Sequence, residues 1–310
     1  MSKKVIITGV NGFVGEHVVD AFRAEGFEVI GVGYDANPSE TIVHKVSSYI
    51  RCNLGDMESV AQIDFSDVWV IVHLAGLSNV GESFNKALPY INDNPSMVYN
   101  LLEHARSHGF QGRAIVVSSG ALYNPQQSLP LTEGSSLLEN SPYAVGKLGV
   151  EHVANYYRLR GLDVVVVRPF NHIGPNQNKG FLVPDLYTQL QTARQTNATS
   201  ISVGNLATRR DYTDVRDIAR AYRLIALASN LNYSLYNICT GRSLAGTNIL
   251  QLLQVEMGMH DIEPIIDETK VRPTDIMDIY GDASRLTSDT GWTPQIPIEQ
   301  TIRDFVASEQ

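Results

Sequence analysis

The chain has 310 residues, 43% of them hydrophobic and 18% charged, with 24 Gly and 13 Pro spread along it; this composition excludes a disordered, collagen-like or coiled-coil polypeptide. Its length exceeds one ordinary domain of about 150 residues and falls short of three, so one large α/β domain or two fused lobes is expected. Against 33 Asp and Glu stand 24 Lys and Arg, a formal charge of -9 that repels a phosphate backbone at long range and argues against nucleic acid as a partner.

Short β-branched runs alternate with helix-length segments, without internal repeats or low-complexity stretches. The first run, Val5-Ile6-Ile7, is apolar on consecutive residues, as a strand covered on both faces is. Thr8-Gly9-Val10-Asn11-Gly12-Phe13-Val14-Gly15 follows it and opens a helix predicted over Phe13–Glu25. In such a turn Gly9 permits the tight bend, Gly12 lets backbone N–H groups approach a pyrophosphate, and Gly15 lets the helix lie close on the strand. The helix N-terminus then faces the phosphates, and at the first turn of a βαβ pattern this points to a dinucleotide site. The second strand, Glu28 to Val32, ends in Gly33-Tyr34-Asp35. Gly33 takes the place where an acidic residue usually meets the adenosine ribose, and Asp35 stands two residues on. No Arg stands beside Asp35 to receive a 2′-phosphate, which leaves NAD versus NADP open. Cys52-Asn53-Leu54-Gly55-Asp56 after the third strand is placed against adenine, a solvated loop being an equal reading of Asp56.

Val68 to Val72 reads as the next strand, and Asn94 to Ser107 as a helix that Phe110-Gln111-Gly112 turns into a strand over Ala114 to Val117. Ser118-Ser119 ends that strand. Ser141-Pro142 opens a helix predicted over Pro142–Arg160, so Tyr143 and Lys147, four residues apart, project from one face. A lysine ammonium about 4 Å from a phenol, at an effective dielectric near 20, favours the phenolate by ~4 kcal/mol, or about three pKa units before desolvation is counted, which would bring Tyr143 down toward neutral pH. Val164 to Val167 is a further buried strand. The pattern is βαβαβ, which right-handed crossovers turn into a Rossmann-like, doubly wound parallel sheet. Past residue 170 the strand rhythm weakens, giving a smaller C-terminal substrate-binding lobe, although Ser234 to Ile238 reads as a strand returning to the main sheet. The expected division is therefore 1–170 for the nucleotide-binding domain, with a return near 205–240, and 171–310 for the lobe.

Tyr143-Ala144-Val145-Gly146-Lys147 resembles the Tyr-x-x-x-Lys pair of the extended short-chain dehydrogenase/reductase family, with Ser119 at the place of its catalytic hydroxyl. The resemblance implies catalysis by Ser119, Tyr143 and Lys147. It also implies NAD(P)H held by Gly9, Gly12, Phe13, Val14, Gly15, Asp35, Asn53, Leu54, Leu74 and Ala75 together with Tyr143 and Lys147. Further segments are similar to the nucleotide-sugar branch of that family, among them Arg168-Pro169-Phe170-Asn171-His172-Ile173-Gly174-Pro175, Val203-Gly204-Asn205-Leu206 and Arg209-Arg210-Asp211-Tyr212. Nearest in pattern are its GDP-4-keto-6-deoxy-mannose reductases. By resemblance Arg210 and Arg272 clamp a diphosphate, Asn171 and Lys179 lie along the substrate channel, Val183 starts a helix beside guanine, and Ser78 and Ser83 contact the sugar. Forked guanidinium donors suit that task. Arg210 adjoins Arg209, so one of the two is open to a structural role, and either serine is open to satisfying loop backbone.

Four reactions compete on this scaffold. A 4,6-dehydratase needs a carboxylic acid just after the catalytic hydroxyl, where this chain has Ser119-Gly120-Ala121-Leu122-Tyr123. A C3 or C5 epimerase needs a base, and only His172 is suitably placed, with a hydrogen-bonded loop histidine the commoner reading. Reduction of a 4-keto sugar needs only Ser119, Tyr143, Lys147 and the nicotinamide, with GDP-4-dehydro-6-deoxy-D-mannose as the expected substrate and GDP-D-rhamnose or GDP-6-deoxy-D-talose as product. A UDP-sugar 4-epimerase is the alternative enzyme, and a non-catalytic dinucleotide sensor the alternative of another class. The two cysteines, Cys52 and Cys239, are assigned to packing, no metal is expected, and a cytoplasmic setting fits. The resemblance further implies a homodimer or homotetramer through a four-helix bundle built from the helices near 94–107 and 142–160.

Overall fold

The computed structural model describes residues 3–271 and 276–309. Seven strands form one parallel sheet: β1 (Lys4–Thr8), β2 (Glu28–Gly33), β3 (Ser48–Arg51), β4 (Val68–His73), β5 (Arg113–Val117), β6 (Asp163–Pro169) and β7 (Leu235–Ile238). They run in the order β7-β6-β5-β4-β1-β2-β3, so the order reverses between β1 and β4, where open α/β sheets bind ligands at the carboxyl ends of their strands. The returning strand is β7, with Leu235 to Ile238 in parallel register against Val166 to Pro169 of β6.

Consecutive apolar residues in β1 feed two different cores. Val5 and Ile7 pack with Val18, Val19 and Phe22 of α1 (Phe13–Arg23) and with Ile218, Tyr222 and Ile225 of α5 (Val215–Leu227). Ile6 packs on the other face with Leu101 and Leu102 of α2 (Ala87–Ser107) and Val150, Ala154 and Tyr157 of α3 (Pro142–Leu159). A third core in the lobe joins α4 (Leu182–Thr196), α6 (Gly246–Met257) and α7 (Ile298–Ser308) to the strand Ser200–Val203, which pairs in parallel with Glu263–Ile266.

The helix predicted from Asn94 begins seven residues earlier, at Ala87, and runs through Pro95. Proline favours a helix start because it lacks an N–H, but here tertiary packing outweighs that preference. A Cβ on Gly149 of α3 would lie 2.7 Å from Pro95 Cγ, and one on Gly146 would lie 2.0 Å from the Tyr90 carbonyl oxygen. The two helices therefore pack closely at the glycines of α3, Gly146 on the backbone of Tyr90 and Gly149 on the ring of Pro95, on either side of Lys147.

Trp292 ties the C-terminal segment to the main core, with no exposed surface and its indole Nε1 donating to the Asp217 carbonyl at 3.0 Å. Trp292→Ala leaves a cavity there and is expected to cost about 3–5 kcal/mol in urea unfolding. A loss below about 1 kcal/mol would show that this tether is not part of the cooperative core.

Candidate active site

A single cleft of about 1640 Å³ runs along the carboxyl ends of the strands into the lobe. It exceeds the roughly 300–1,000 Å³ usual for one small-molecule site. One end is the β1–α1 turn. Gly9 has φ +66°, and a Cβ there would lie 2.7 Å from the Ala75 nitrogen; only glycine fits this bend. A Cβ on Gly15 would lie 2.1 Å from the Val10 carbonyl oxygen, so the first turn of the helix packs directly on the backbone of the β1–α1 turn. Gly12 caps α1 without a side chain, leaving the first N–H groups of the helix turned to the cleft with no side-chain acceptor. Such a terminus suits a pyrophosphate. Phe13, Val14, Asn53, Leu54, Leu74 and Ala75 line the same end.

The structure explains the glycine at the end of β2. A Cβ on Gly33 would come within 2.5 Å of the Tyr49 hydroxyl, so a side chain there would have to displace the Tyr49 ring. Tyr49 donates that hydroxyl to the Asp35 carbonyl at 2.8 Å, and the Asp35 carboxylate accepts from Asn11 Nδ2 at 2.7 Å. Asp35 thereby reaches the cleft from two residues further on.

Midway along the cleft lie Ser119, Tyr143 and Lys147. Ser141 caps α3, its hydroxyl accepting from the Ala144 N–H at 3.2 Å, and this places Tyr143 in the first turn. Lys147, buried one turn on, donates from Nζ to the Val117 carbonyl at 2.8 Å. Its ammonium lies 6.0 Å from the centre of the Tyr143 ring. The sequence expectation of a lowered phenol pKa is overturned: burial pushes Tyr143 above the ordinary tyrosine value, against a smaller downward pull from hydrogen bonding with Ser119. Burial acts on the lysine too, lowering it to about 8 against an upward pull from Glu151. At neutral pH the phenol keeps its proton and the lysine its charge. The Ser119 hydroxyl also accepts from the Ala121 N–H at 3.1 Å, which sets the turn after β5.

Toward the lobe, Ser78, Asn171 and Arg210 line the cleft. Arg209 turns away to Ser243 and Asp278, which leaves Arg210 as the arginine of the pair that faces the cleft. Arg210 also donates to the Ile276 carbonyl at 2.6 Å. Three of the expected residues, Ser83, Val183 and Lys179, are not among those that line the cleft. Ser83 is fully buried, and its hydroxyl is spent on the Val80 carbonyl at 2.6 Å. Val183 points into the lobe core, while its neighbour Leu182 meets the cleft. Lys179 is exposed on a separate hollow behind the glycine turn. Arg272 lies outside the described residues.

His172 lines the cleft, but its ring stacks on Phe13 at 6.0 Å and its Nδ1 faces the Phe170 carbonyl at 3.1 Å. Burial lowers its pKa, so it serves as a neutral wall. Sequence reasoning missed the cleft-facing side of α4, where Leu182, Asp185, Leu186 and Gln189 recur at helical spacing. Two polar residues in a stripe at i+3 and i+7 were the available signal. It also missed Tyr222, Lys270 and Asn205, which line the cleft from elements far apart in the chain. Among the described residues no cluster of His, Cys, Asp and Glu is arranged to hold a metal ion, and no helix is long and apolar enough to cross a membrane.

His73, at the end of β4, has its Nδ1 2.9 Å from the Thr8 hydroxyl and is buried enough to lower its pKa to about 3. An unfolded histidine titrates near 6.5, so protons favour the unfolded chain between those values and stability falls as pH drops through that window. His73→Asn is expected to reduce the slope of unfolding free energy against pH, measured by urea titration between pH 7 and pH 4.5, by up to about one proton. An unchanged slope would contradict the burial of a neutral ring.

Residues 6–305 match a family model described as GDP-mannose 4,6 dehydratase. The chain is 29% identical to the GDP-6-deoxy-D-mannose reductase of Pseudomonas aeruginosa, covering 99% of this chain and 97% of that protein. It is 28% identical to a putative UDP-glucose 4-epimerase of Methanocaldococcus jannaschii, with 97% of each covered. The solved structure of RMD from Pseudomonas aeruginosa complexed with NADPH superposes with a TM-score of 0.86 at 26% identity, covering 99% of this chain and 98% of that one.

Proposed function

The chain belongs to the GDP-mannose 4,6-dehydratase family of extended short-chain dehydrogenase/reductases, and from that premise we propose that it reduces the 4-keto group of GDP-4-dehydro-6-deoxy-D-mannose with NAD(P)H. The observation that carries this reading is that the Tyr143 phenol, the Ser119 hydroxyl and the buried Lys147 line one large cleft, with no carboxyl among Gly120, Ala121 and Leu122 after Ser119. Elimination chemistry would need an acid there.

The glycine turn, the open N-terminus of α1 and Asp35 would hold the dinucleotide, which supplies a hydride when bound. Every other part of the reaction falls to the chain. Ser119 donates a hydrogen bond to the keto oxygen and orients it toward the phenol. Tyr143 gives its proton to that oxygen, and its burial, which keeps the proton on at neutral pH, suits a general acid. Lys147 stabilises the phenolate left behind. Arg210 grips the diphosphate. The resemblance to a GDP-sugar reductase supports the choice of base, and the product is GDP-D-rhamnose, or GDP-6-deoxy-D-talose if hydride reaches the opposite face.

A second reading, a UDP-sugar 4-epimerase, is favoured by the full-length similarity to a putative UDP-glucose 4-epimerase. The pure protein is to be incubated with GDP-4-dehydro-6-deoxy-D-mannose and NADH or NADPH, and the C4 configuration of the product read by NMR. Stoichiometric oxidation of the dinucleotide is expected, with a loss of about 10²–10⁴ in kcat for Tyr143→Phe. Turnover of UDP-glucose without added dinucleotide, and none of the keto sugar, would establish the epimerase reading instead.

Leu88, Tyr99, Val145, Tyr156 and Leu159 stand exposed on α2 and α3, Leu88 at 68% and Leu159 at 74%. Such a patch on two adjacent helices fits a homodimer joined through a four-helix bundle. Sedimentation is expected to give a dimer or tetramer for the wild type and a monomer for the Val145→Glu/Tyr156→Glu variant; a monomeric wild type would rule the interface out.

A further inference from the structure

Glu151, one turn beyond Lys147 on α3, is a largely enclosed carboxylate that the proposed chemistry does not use. It is fully engaged. Arg168 on β6 grips it with two hydrogen bonds of 2.7 Å, and the Ser118 hydroxyl donates to it at 2.5 Å. The Glu151 side chain is 12% exposed and that of Arg168 4%. The arginine lies over the ring of Tyr123, 4.9 Å from its centre, and Tyr123 in turn donates to Asn237 on β7 at 2.6 Å.

Stability alone does not account for this pair. Desolvating two charges offsets most or all of their attraction, and Arg168 Nη1 is buried without a partner among the described residues, a further cost. The location of the pair points to another role. Ser118, which Glu151 holds, joins the residue whose carbonyl accepts the Lys147 ammonium, Val117, to Ser119.

We propose that Glu151 is a positioning residue for the active site: its carboxylate, anchored by Arg168, fixes Ser118 so that the Val117 carbonyl and the Ser119 hydroxyl are presented to Lys147 and Tyr143, and its negative charge holds the proton on Lys147. The second half rests on placement, Glu151 standing four residues from Lys147 on one face of α3, and Glu151 accordingly raises Lys147 against the desolvation that lowers it to about 8. Two other titratable groups face this lysine: His73 is a neutral ring near physiological pH, and burial keeps the proton on Tyr143, whose ring centre lies 6.0 Å away. The inference rests on the ketoreductase reading for its effect on turnover, but not for its effect on Lys147.

The test is a titration of Lys147 by NMR in lysine-labelled whole protein, its resonance assigned with Lys147→Arg, alongside kcat against pH for keto-sugar reduction. In Glu151→Gln the lone Arg168 charge remains, so Lys147 is expected to lose its proton at least about one pH unit lower than in the wild type. The alkaline limb of kcat should move by the same amount while KM stays unchanged. In Glu151→Gln/Arg168→Gln, which leaves no unpaired buried charge and carries the test if the single variant fails to fold, the titration should return toward the wild-type position. Glu151→Asp keeps the charge and shortens the reach, so kcat should fall about tenfold or more with the titration unmoved. Identical Lys147 titrations in wild type and Glu151→Gln would overturn the electrostatic half, and full kcat in Glu151→Asp would overturn the positional half. Failure of the wild type to turn over the keto sugar would sink the ketoreductase reading and leave the lysine titration to decide the charge claim.

Discussion

The burial of Lys147 is the constraint from which the rest of the site follows. An ammonium placed among the ends of β4 and β5 and the close-packed α2–α3 pair keeps its charge only if something accepts its protons. The Val117 carbonyl accepts directly, and the Glu151 charge one turn away favours the ammonium through space. Because Lys147 bonds to strand backbone, α3 is held over the end of β5, and Tyr143 and Ser119 meet as a consequence of that docking. The glycines at 146 and 149 serve the same end, letting α3 lie against the backbone of α2 at Tyr90 and the ring of Pro95.

The electrostatics differ from a picture in which the lysine turns the tyrosine into a base. Desolvation dominates both groups, raising the phenol and lowering the ammonium. The resting site therefore offers a proton, as reduction of a ketone requires. The same site read in the oxidative direction would have to overcome that burial, and a bound dinucleotide carrying positive charge would supply the missing counter-field.

Much of the architecture was legible because the sheet is covered on both sides. Val5-Ile6-Ile7 and Val164 to Val167 could be read as buried strands from consecutive apolar residues, and Tyr143 and Lys147 shared a face by helical spacing. Failures came where long-range packing decides. Pro95 marks a helix start locally, yet Gly149 receives its ring and the helix runs through. Ser83 and Val183 sit within segments that do reach the cleft, but their side chains turn to the Val80 carbonyl and the lobe core. The polar face of α4 went unread because Asp185 and Gln189 acquire meaning only once the lobe is folded over the sheet. Gly33 was visible as a departure from the usual acidic residue, and only the position of Tyr49 supplies its cause.

Reading the site as a ketone flanked by the Tyr143 proton and a hydride donor is tested most directly by isotope transfer. The keto sugar is to be reduced with dinucleotide carrying deuterium on the nicotinamide C4, and the product examined by NMR. Deuterium at sugar C4, with the hydroxyl proton drawn from solvent, is the expected result. Label absent from C4, or found at another sugar carbon, would contradict the account.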